Sequence, residues 1–333
     1  MKAYILDRFG RGQMLRLIEQ PDPVIGERDV LVAIEATALN QLDGKIRDGA
    51  FKPLLPYKPP FVLGHDFAGM VVAVGAGVSR FQVGDAVHGR PRDGRIGTFA
   101  TRIAVDETDL APMPAKLSMV EAASVPLVGL TVWQALVEVA GLREGQKVLI
   151  HAGSGGVGTL AIQLAKHLGA TVATTTSTAN ADLVRSLGAD VVIDYRTQDF
   201  SQELTDYDLV LASLDPKSLE KSLKVLKPGG RLISISGPPD PAFAREQRLN
   251  PILRLVMRLL SAGIRRKARR AGVTYSFLFM RADGQQLAEF DALIEQGAIR
   301  PVIDRTFPFA QLNEALAYVD SGRAKGKVVI NVA

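Results

Sequence analysis

The chain contains no cysteine among its 333 residues. That absence removes disulfides, thiol nucleophiles and every thiolate metal site. Histidine is scarce as well. His65, His88, His151 and His167 are the only four, and no two stand at a spacing typical of a zinc pair. Long apolar runs are missing; stretches such as 148–150 and 71–74 are far too short to cross a bilayer. Asp7 interrupts the N-terminus before a signal-like apolar core forms, so a cytoplasmic location without a transmembrane segment is expected. Acids are absent from one further stretch, residues 254–270, which carries six arginines and Lys267. Without those charges the chain's net +5 becomes mildly negative. The basic character therefore belongs to one segment, and nucleic acid is not expected as a partner.

What remains is ordinary for a soluble enzyme, with 47% hydrophobic and 23% charged residues. A chain of this length exceeds the usual single-domain range, and its pattern changes part-way along. Up to about residue 107 it is strand-rich, with short β-branched runs at 30–34, 71–74, 86–88 and 99–105. The loop 49–60 holds Pro53, Pro56, Pro59 and Pro60 and should be irregular. A helix is expected over 118–123, with Ser118 as N-cap and Glu121 as its capping-box partner. Beyond residue 146, apolar strands (147–151, 171–175, 191–193, 209–211, 232–236) alternate with helices (157–168, 181–187, 217–226). That alternation indicates a parallel sheet with helices on both faces. A helix at 287–296, a strand near 302–307, a helix at 312–319 and a closing strand at 328–332 read as a return to the first domain. In the basic segment, Ile252, Leu255, Val256, Leu259 and Leu260 form a helical stripe with Arg254 and Arg258 away from it. A solvated surface helix whose stripe is used in packing is expected, without adhesion to anionic membranes.

The sharpest motif is Gly153, Ser154, Gly155, Gly156, Val157 and Gly158, a G-x-G-x-x-G run placed where a strand turns into a helix. Its first glycine permits the tight turn and its second lets a pyrophosphate approach the backbone. The third lets the helix sit close to the sheet, with phosphates at the helix N-terminus. About twenty residues on, where NAD enzymes place an acid for the adenosine 2′-hydroxyl, the chain offers only Thr174, Thr175, Thr176, Ser177, Thr178, Ala179 and Asn180. Hydroxyls and an amide can donate to a 2′-phosphate where a carboxylate would repel it. NADPH is the expected cofactor, with Tyr195 and Arg196 able to reach the same phosphate.

Several ordered motifs carry a resemblance over nearly the whole chain. They include Asn40-Gln41-Leu42-Asp43, Gly64-His65-Asp66-Phe67-Ala68-Gly69, Val83-Gly84-Asp85, Leu130-Thr131-Val132-Trp133, the glycine loop, Lys227-Pro228-Gly229-Gly230 and Gly326-Lys327-Val328-Val329. The chain resembles the medium-chain dehydrogenase/reductase superfamily, in its zinc-independent quinone oxidoreductase and alkenal reductase branch. The resemblance implies an α/β fold made of a GroES-like β-rich catalytic domain and a Rossmann doubly wound parallel-sheet domain. Expected boundaries are 1–121 and 281–333 for the former and 122–280 for the latter. Zinc-containing relatives carry a cysteine ligand where Asn40 stands and a histidine ligand where His65 stands. Here only His65 survives, so no metal site is expected. The resemblance further implies an NADPH cleft and a homodimer. Asn40 would face the nicotinamide and the substrate oxygen, Asp43 would brace its loop, and Thr131 would lie near the nicotinamide half. Thr176, Ser177, Tyr195, Ser236 and Lys327 match or neighbour cofactor-contacting positions. The chain departs from relatives at Ala179, where Lys or Arg is common, and at Ala212-Ser213-Leu214.

Without a metal to polarise a carbonyl, a quinone or an α,β-unsaturated carbonyl compound is the expected substrate. Either accepts hydride at carbon and delocalises charge onto oxygen, which a donor such as the Asn40 amide would hold. Tyr57, Lys45 or water would supply the proton. Phe51, Tyr57 and Phe61 either line an apolar pocket or pack the loop among themselves. His65 reads as a buried, hydrogen-bonded loop histidine, and His151 and His167 read as structural. The alternative is an NADPH-binding sensor or partner protein without turnover. A zinc alcohol dehydrogenase would need ligands that are missing.

Overall fold

The computed structural model describes residues 1–52, 54–55 and 57–333. Pro53 and Pro56 of the expected irregular loop lie outside the described residues. The chain divides into two compact units, Met1–Leu130 with Arg281–Ala333, and Thr131–Met280.

The first unit opens with strands β1 (Lys2–Leu6), β2 (Arg16–Glu19) and β3 (Asp29–Leu39), followed by helix α1 (Gln41–Arg47). Strands β4 (Phe61–Val62), β5 (Asp66–Val74), β6 (Ala86–Gly89), β7 (Arg102–Asp106) and β8 (Leu110–Pro112) lead to helix α2 (Met119–Ala123). Ser118 caps α2 and Glu121 completes the expected capping box, its carboxylate accepting from the Ser118 amide at 2.9 Å. Helix α3 (Pro126–Trp133) continues into a π-helical turn, Gln134–Val139.

In the second unit the order is β9 (Lys147–Ile150), α4 (Gly156–His167), β10 (Thr171–Thr176), α5 (Ala181–Ser186), β11 (Val191–Asp194) and α6 (Phe200–Glu203). Then come β12 (Tyr207–Ala212), α7 (Pro216–Ser222), β13 (Leu226–Ser234), helices α8 (Pro241–Glu246), α9 (Pro251–Leu260) and α10 (Ala262–Arg270), and β14 (Thr274–Phe277). Helix α11 (Gly284–Glu295), β15 (Ile303–Pro308), α12 (Leu312–Asp320) and β16 (Lys327–Asn331) return to the first unit.

All strands of the second unit pair in parallel in the order β11-β10-β9-β12-β13-β14. The order reverses between β9 and β12, which is the switch point where doubly wound sheets bind their ligands. The glycine loop leaves β9 at that point. In the first unit the larger sheet runs β15-β16-β3-β5-β6-β8, with β7 also on β3.

Two strands there are longer than their β-branched runs suggest. β3 extends to Leu39 and β5 begins at Asp66, and the added segments are rich in alanine. Ala36 pairs with Ala68, Ala38 with Asp66, and Val329 of β16 with Ala38. The small side chains form a floor on which Ala122 and Ala123 of α2 pack, so tertiary contact overrides weak strand propensity.

Other expectations need correction. The helix expected over 217–226 stops at Ser222, because Leu226 already pairs with Tyr207 as the start of β13. The strand expected to end at Ser236 ends at Ser234. Ser236 lies exposed beyond it, its hydroxyl donating to the Leu214 carbonyl at 2.7 Å. The largest correction concerns the apolar stripe of α9, which was expected to pack. Ile252 is 75% exposed, Leu259 66% and Leu255 55%. The helix anchors itself through buried Met257 instead.

Candidate active site

In the first unit, three adjacent strands bring their ends together. Asn40 follows the last residue of β3, Asp66 opens β5 and Lys327 opens β16. Strand pairing alone places these three residues side by side, and all three are buried. The Lys327 ammonium donates to Asn40 Oδ1 at 2.6 Å and to Asp66 Oδ2 at 2.9 Å. Asn40 Nδ2 donates to the same Asp66 oxygen at 2.9 Å, and the other Asp66 oxygen accepts from the Leu127 amide at 2.7 Å. Asp43 braces the loop as expected, accepting from the Asn40 amide at 2.7 Å through one oxygen and facing His65 Nδ1 at 2.6 Å through the other.

This arrangement leaves a defined donor capacity. An ammonium carries three donors and two are spent among the described residues; the Asn40 amide carries two and one is spent there. One hydrogen of each remains for a ligand oxygen, on groups held rigidly by a buried network. Sequence reasoning placed Lys327 only beside the cofactor and assigned Asp66 no role. The available signal was a charged residue heading each of two buried apolar strands.

The same geometry answers the question of zinc. Between Asn40 Oδ1 and Asp66 Oδ2, the nearest oxygen donors, stands an ammonium ion, and His65 is already engaged by Asp43. A dication there would meet a fixed positive charge and lack any thiolate. Among the described residues no cluster of three ligating side chains occurs. The donor set does not fit zinc.

Of the other expected catalytic residues, Tyr57 is half-buried and Lys45 is exposed on α1, outside the Asn40 network. The Tyr57 ring stacks on Phe61 with centroids 5.2 Å apart, and Phe61 also meets Phe9, so these aromatics pack on one another. Burial pushes the Tyr57 hydroxyl well above its ordinary pKa, and the charge of Asp93 adds to the shift. The hydroxyl accepts from the Gly94 amide at 3.3 Å and stays protonated at neutral pH, a donor rather than a base.

In the second unit, the loop after β9 is built by close contacts. Ala152 adopts φ 54°, and Gly155, with φ −85° and ψ 173°, is the N-cap of α4. No side chain caps that helix, so the first-turn amides are open to an anion. A Cβ on Gly153 would fall 2.0 Å from Thr174 Oγ1, and one on Gly158 would fall 2.3 Å from the Ala152 carbonyl oxygen. Gly155 is different: its Cβ would meet only that same oxygen, at 3.3 Å. Ser154 Oγ receives hydrogen bonds from Thr176 Oγ1 at 3.0 Å and Asn180 Nδ2 at 3.2 Å. Two incoming donors turn the serine proton outward, toward a ligand. Asn180 Oδ1 is left buried without a partner, an acceptor suited to a sugar hydroxyl. A dinucleotide fits these residues.

The hydroxyl tract is less open than its sequence suggests. Thr174 Oγ1 donates to the Ile150 carbonyl, Thr175 Oγ1 accepts from the Ala152 amide, and Thr178 is bound by Asp194. Ser177 alone among these hydroxyls has no partner among the described residues. Asp194, from the next strand, thus brings a carboxylate onto a tract that contains none. Tyr195 is 59% exposed under the Arg196 guanidinium, which makes no ion pair among the described residues. Thr131 is buried on α3.

His151, at the end of β9, is the buried structural residue expected. Its Nε2 meets Ser222 Oγ at 2.9 Å and its Nδ1 meets Thr175 Oγ1 at 3.2 Å. The Ser222 hydroxyl donates to the Ser218 carbonyl, so it accepts from Nε2–H, and Nδ1 is left as the acceptor of a neutral ring. Burial lowers its pKa to about 4. The unfolded chain, titrating near 6.5, takes up this proton first as pH falls. Stability is therefore full above about pH 6.5 and declines toward pH 4, by about 3 kcal/mol for this residue. Urea midpoints across that window should fall less steeply in His151→Gln; equal slopes would show that the ring does not govern acid sensitivity.

Residues 26–115 match the alcohol dehydrogenase GroES-like domain family, and residues 187–330 match the zinc-binding dehydrogenase family. The mitochondrial NAD(P)H oxidoreductase RTN4IP1 of Mus musculus is 33% identical over 100% of this chain and 89% of its own length. The chloroplastic NADPH-dependent alkenal/one oxidoreductase of Arabidopsis thaliana is 34% identical over 99% of this chain and 79% of its own. These two names do not carry the cytoplasmic location expected from the N-terminus. The quinone oxidoreductase of Coxiella burnetii superposes with a TM-score of 0.88 at 30% identity, covering 100% of this chain and 99% of the other. Matches along the full length and on both units establish the kinship: the chain belongs to the medium-chain dehydrogenase/reductase superfamily, in its quinone oxidoreductase and alkenal reductase branch, and is an oxidoreductase.

Proposed function

We propose that the protein is an NADPH-dependent reductase acting on a quinone or an α,β-unsaturated carbonyl compound, with no metal taking part. The observation that carries this reading is the buried Lys327 ammonium, held by Asn40 and Asp66, with one donor unspent. Held at the glycine loop, NADPH supplies a hydride. The substrate's oxygen gains negative charge as its conjugated carbon accepts that hydride. Lys327 Nζ and Asn40 Nδ2 then act as donors fixed in advance, which costs no reorganisation when the charge develops. A proton reaches the oxygen or the adjacent carbon from Lys327, Tyr57 or water.

The test is NADPH oxidation by the purified protein against a panel of quinones, alkenals and enones. Turnover with at least one class supports a reductase. Tight NADPH binding without any turnover would support the sensor reading instead.

Cofactor choice belongs to the same proposal. Ser177, Tyr195 and Arg196 supply donors for a 2′-phosphate, while Asp194 and the missing cation at Ala179 limit the gain. NADPH should exceed NADH in kcat/KM by a moderate factor, since a charge-assisted hydrogen bond is roughly twice as strong as a neutral one. Ser177→Asp should erase or reverse the preference and Ala179→Arg should raise it. An unmodified enzyme that prefers NADH would contradict the phosphate pocket.

A further inference from the structure

Helices α9 and α10 are separated only by Ser261, which is itself in right-handed helical conformation. The Ser261 amide donates to the Met257 carbonyl, and the Arg265 amide to the Ser261 carbonyl. These two bonds span the junction, but α9 ends at Leu260 and α10 begins anew at Ala262, with Ser261 at ψ −4° in the turn between them. Met257, Ser261, Ile264 and Ala268 are at most 7% exposed. Each helix thus turns one face inward, α9 through Met257 and α10 through Ile264 and Ala268. Ile264 and Ala268 join the core beneath the parallel sheet, which fixes the α10 face inward.

The opposite face of each helix is fixed with it. On α9, Leu255 and Leu259 lie opposite Met257, and on α10, Arg266 and Arg270 lie opposite Ile264 and Ala268, so both pairs face away from the core. The outward face of α9 is apolar, with Ile252 beside the two leucines, and that of α10 is cationic, with Arg269 beside the two arginines. All six are exposed. Lys267 pairs with Glu220 at 2.6 Å, yet none of the arginines of α9 and α10 pairs with a carboxylate among the described residues.

We infer that the outward faces of α9 and α10 form a docking surface for an anionic lipid bilayer, with the α9 stripe entering the headgroup boundary and the α10 arginines binding lipid phosphates. An acidic soluble partner would satisfy the arginines but leave the leucines in water. A neutral apolar partner would do the reverse. An anionic bilayer takes both, because it offers phosphates and acyl chains at adjacent depths.

Flotation of the full chain with phosphatidylglycerol-containing vesicles, against pure phosphatidylcholine vesicles, tests this. The unmodified protein should float with the anionic vesicles and remain behind with the neutral ones. Arg266→Gln with Arg270→Gln should weaken anionic binding about twenty-five-fold, since each surface cation contributes about fivefold. Leu255→Ser with Leu259→Ser should weaken it at least about tenfold through lost apolar burial. These side chains are exposed, so circular dichroism and thermal unfolding should match the unmodified protein. Absence of flotation with anionic vesicles would overturn the proposal. So would leucine variants that float as well as the parent, because binding would then be charge alone. A dimer that sediments as such and is dissociated by the leucine substitutions, without flotation, would assign the face to a second copy and overturn it too.

Discussion

Lys327→Met is expected to lower kcat by about two to three orders of magnitude, the usual loss when one preorganised oxyanion donor is removed. Affinity for NADPH should change far less, because the reacting oxygen needs this donor most in the transition state. Methionine has about the same length and packs in the same slot, but it leaves the Asp66 carboxylate buried without its cation. That alone destabilises by about 3–5 kcal/mol, so a lower activity could reflect a damaged fold. Adding Asp66→Asn removes the stranded charge, and the asparagine carbonyl can still accept from the Leu127 amide. The double variant should recover thermal stability without recovering kcat. Recovery of both would make Lys327 a structural counter-ion and nothing more.

The glycine loop provides the second large effect, and it separates binding from folding. Gly153→Ala puts a methyl 2.0 Å from Thr174 Oγ1, on a β-branched side chain tied to the Ile150 carbonyl. Gly158→Ala drives one into the backbone at Ala152. Both should lower stability and NADPH binding together, which any tight turn would also do. Gly155→Ala is the discriminating variant. Its backbone, at φ −85°, is accessible to alanine, and its Cβ meets only one protein atom within 4 Å. The thermal midpoint should barely move. If a pyrophosphate lies against this backbone, the added methyl should raise the Kd for NADPH by at least about tenfold. Unchanged affinity, measured by fluorescence or calorimetry, would make the loop a turn with no phosphate beside it.

These expectations also mark what was legible in the sequence. The glycine loop and its flanking strand and helix were readable because turn, pyrophosphate and helix packing impose local spacing. The capping box at Ser118 and Glu121 was readable for the same reason. The Asn40 network was not, since Lys327 lies 287 residues from Asn40 and Asp66 lies 26 residues from it. Only the β16-β3-β5 strand order joins them, and no local spacing encodes that order. Asp194 reaches Thr178 in the same non-local way, through pairing of β11 with β10. In α9 the period was readable but the direction was not. A helical pattern marks a stripe; the burial of Met257 decides which side faces the core.

In the proposed reaction hydride passes to a conjugated carbon while buried donors, not a metal, hold the oxygen. The most direct measurement is the rate of NADPH oxidation by chelator-treated protein with an enone and with its saturated ketone. The enone should turn over, the saturated ketone should stay at background, and restoring zinc should bring no gain. Equal turnover of the two compounds, or activity that depends on added zinc, would contradict this reaction.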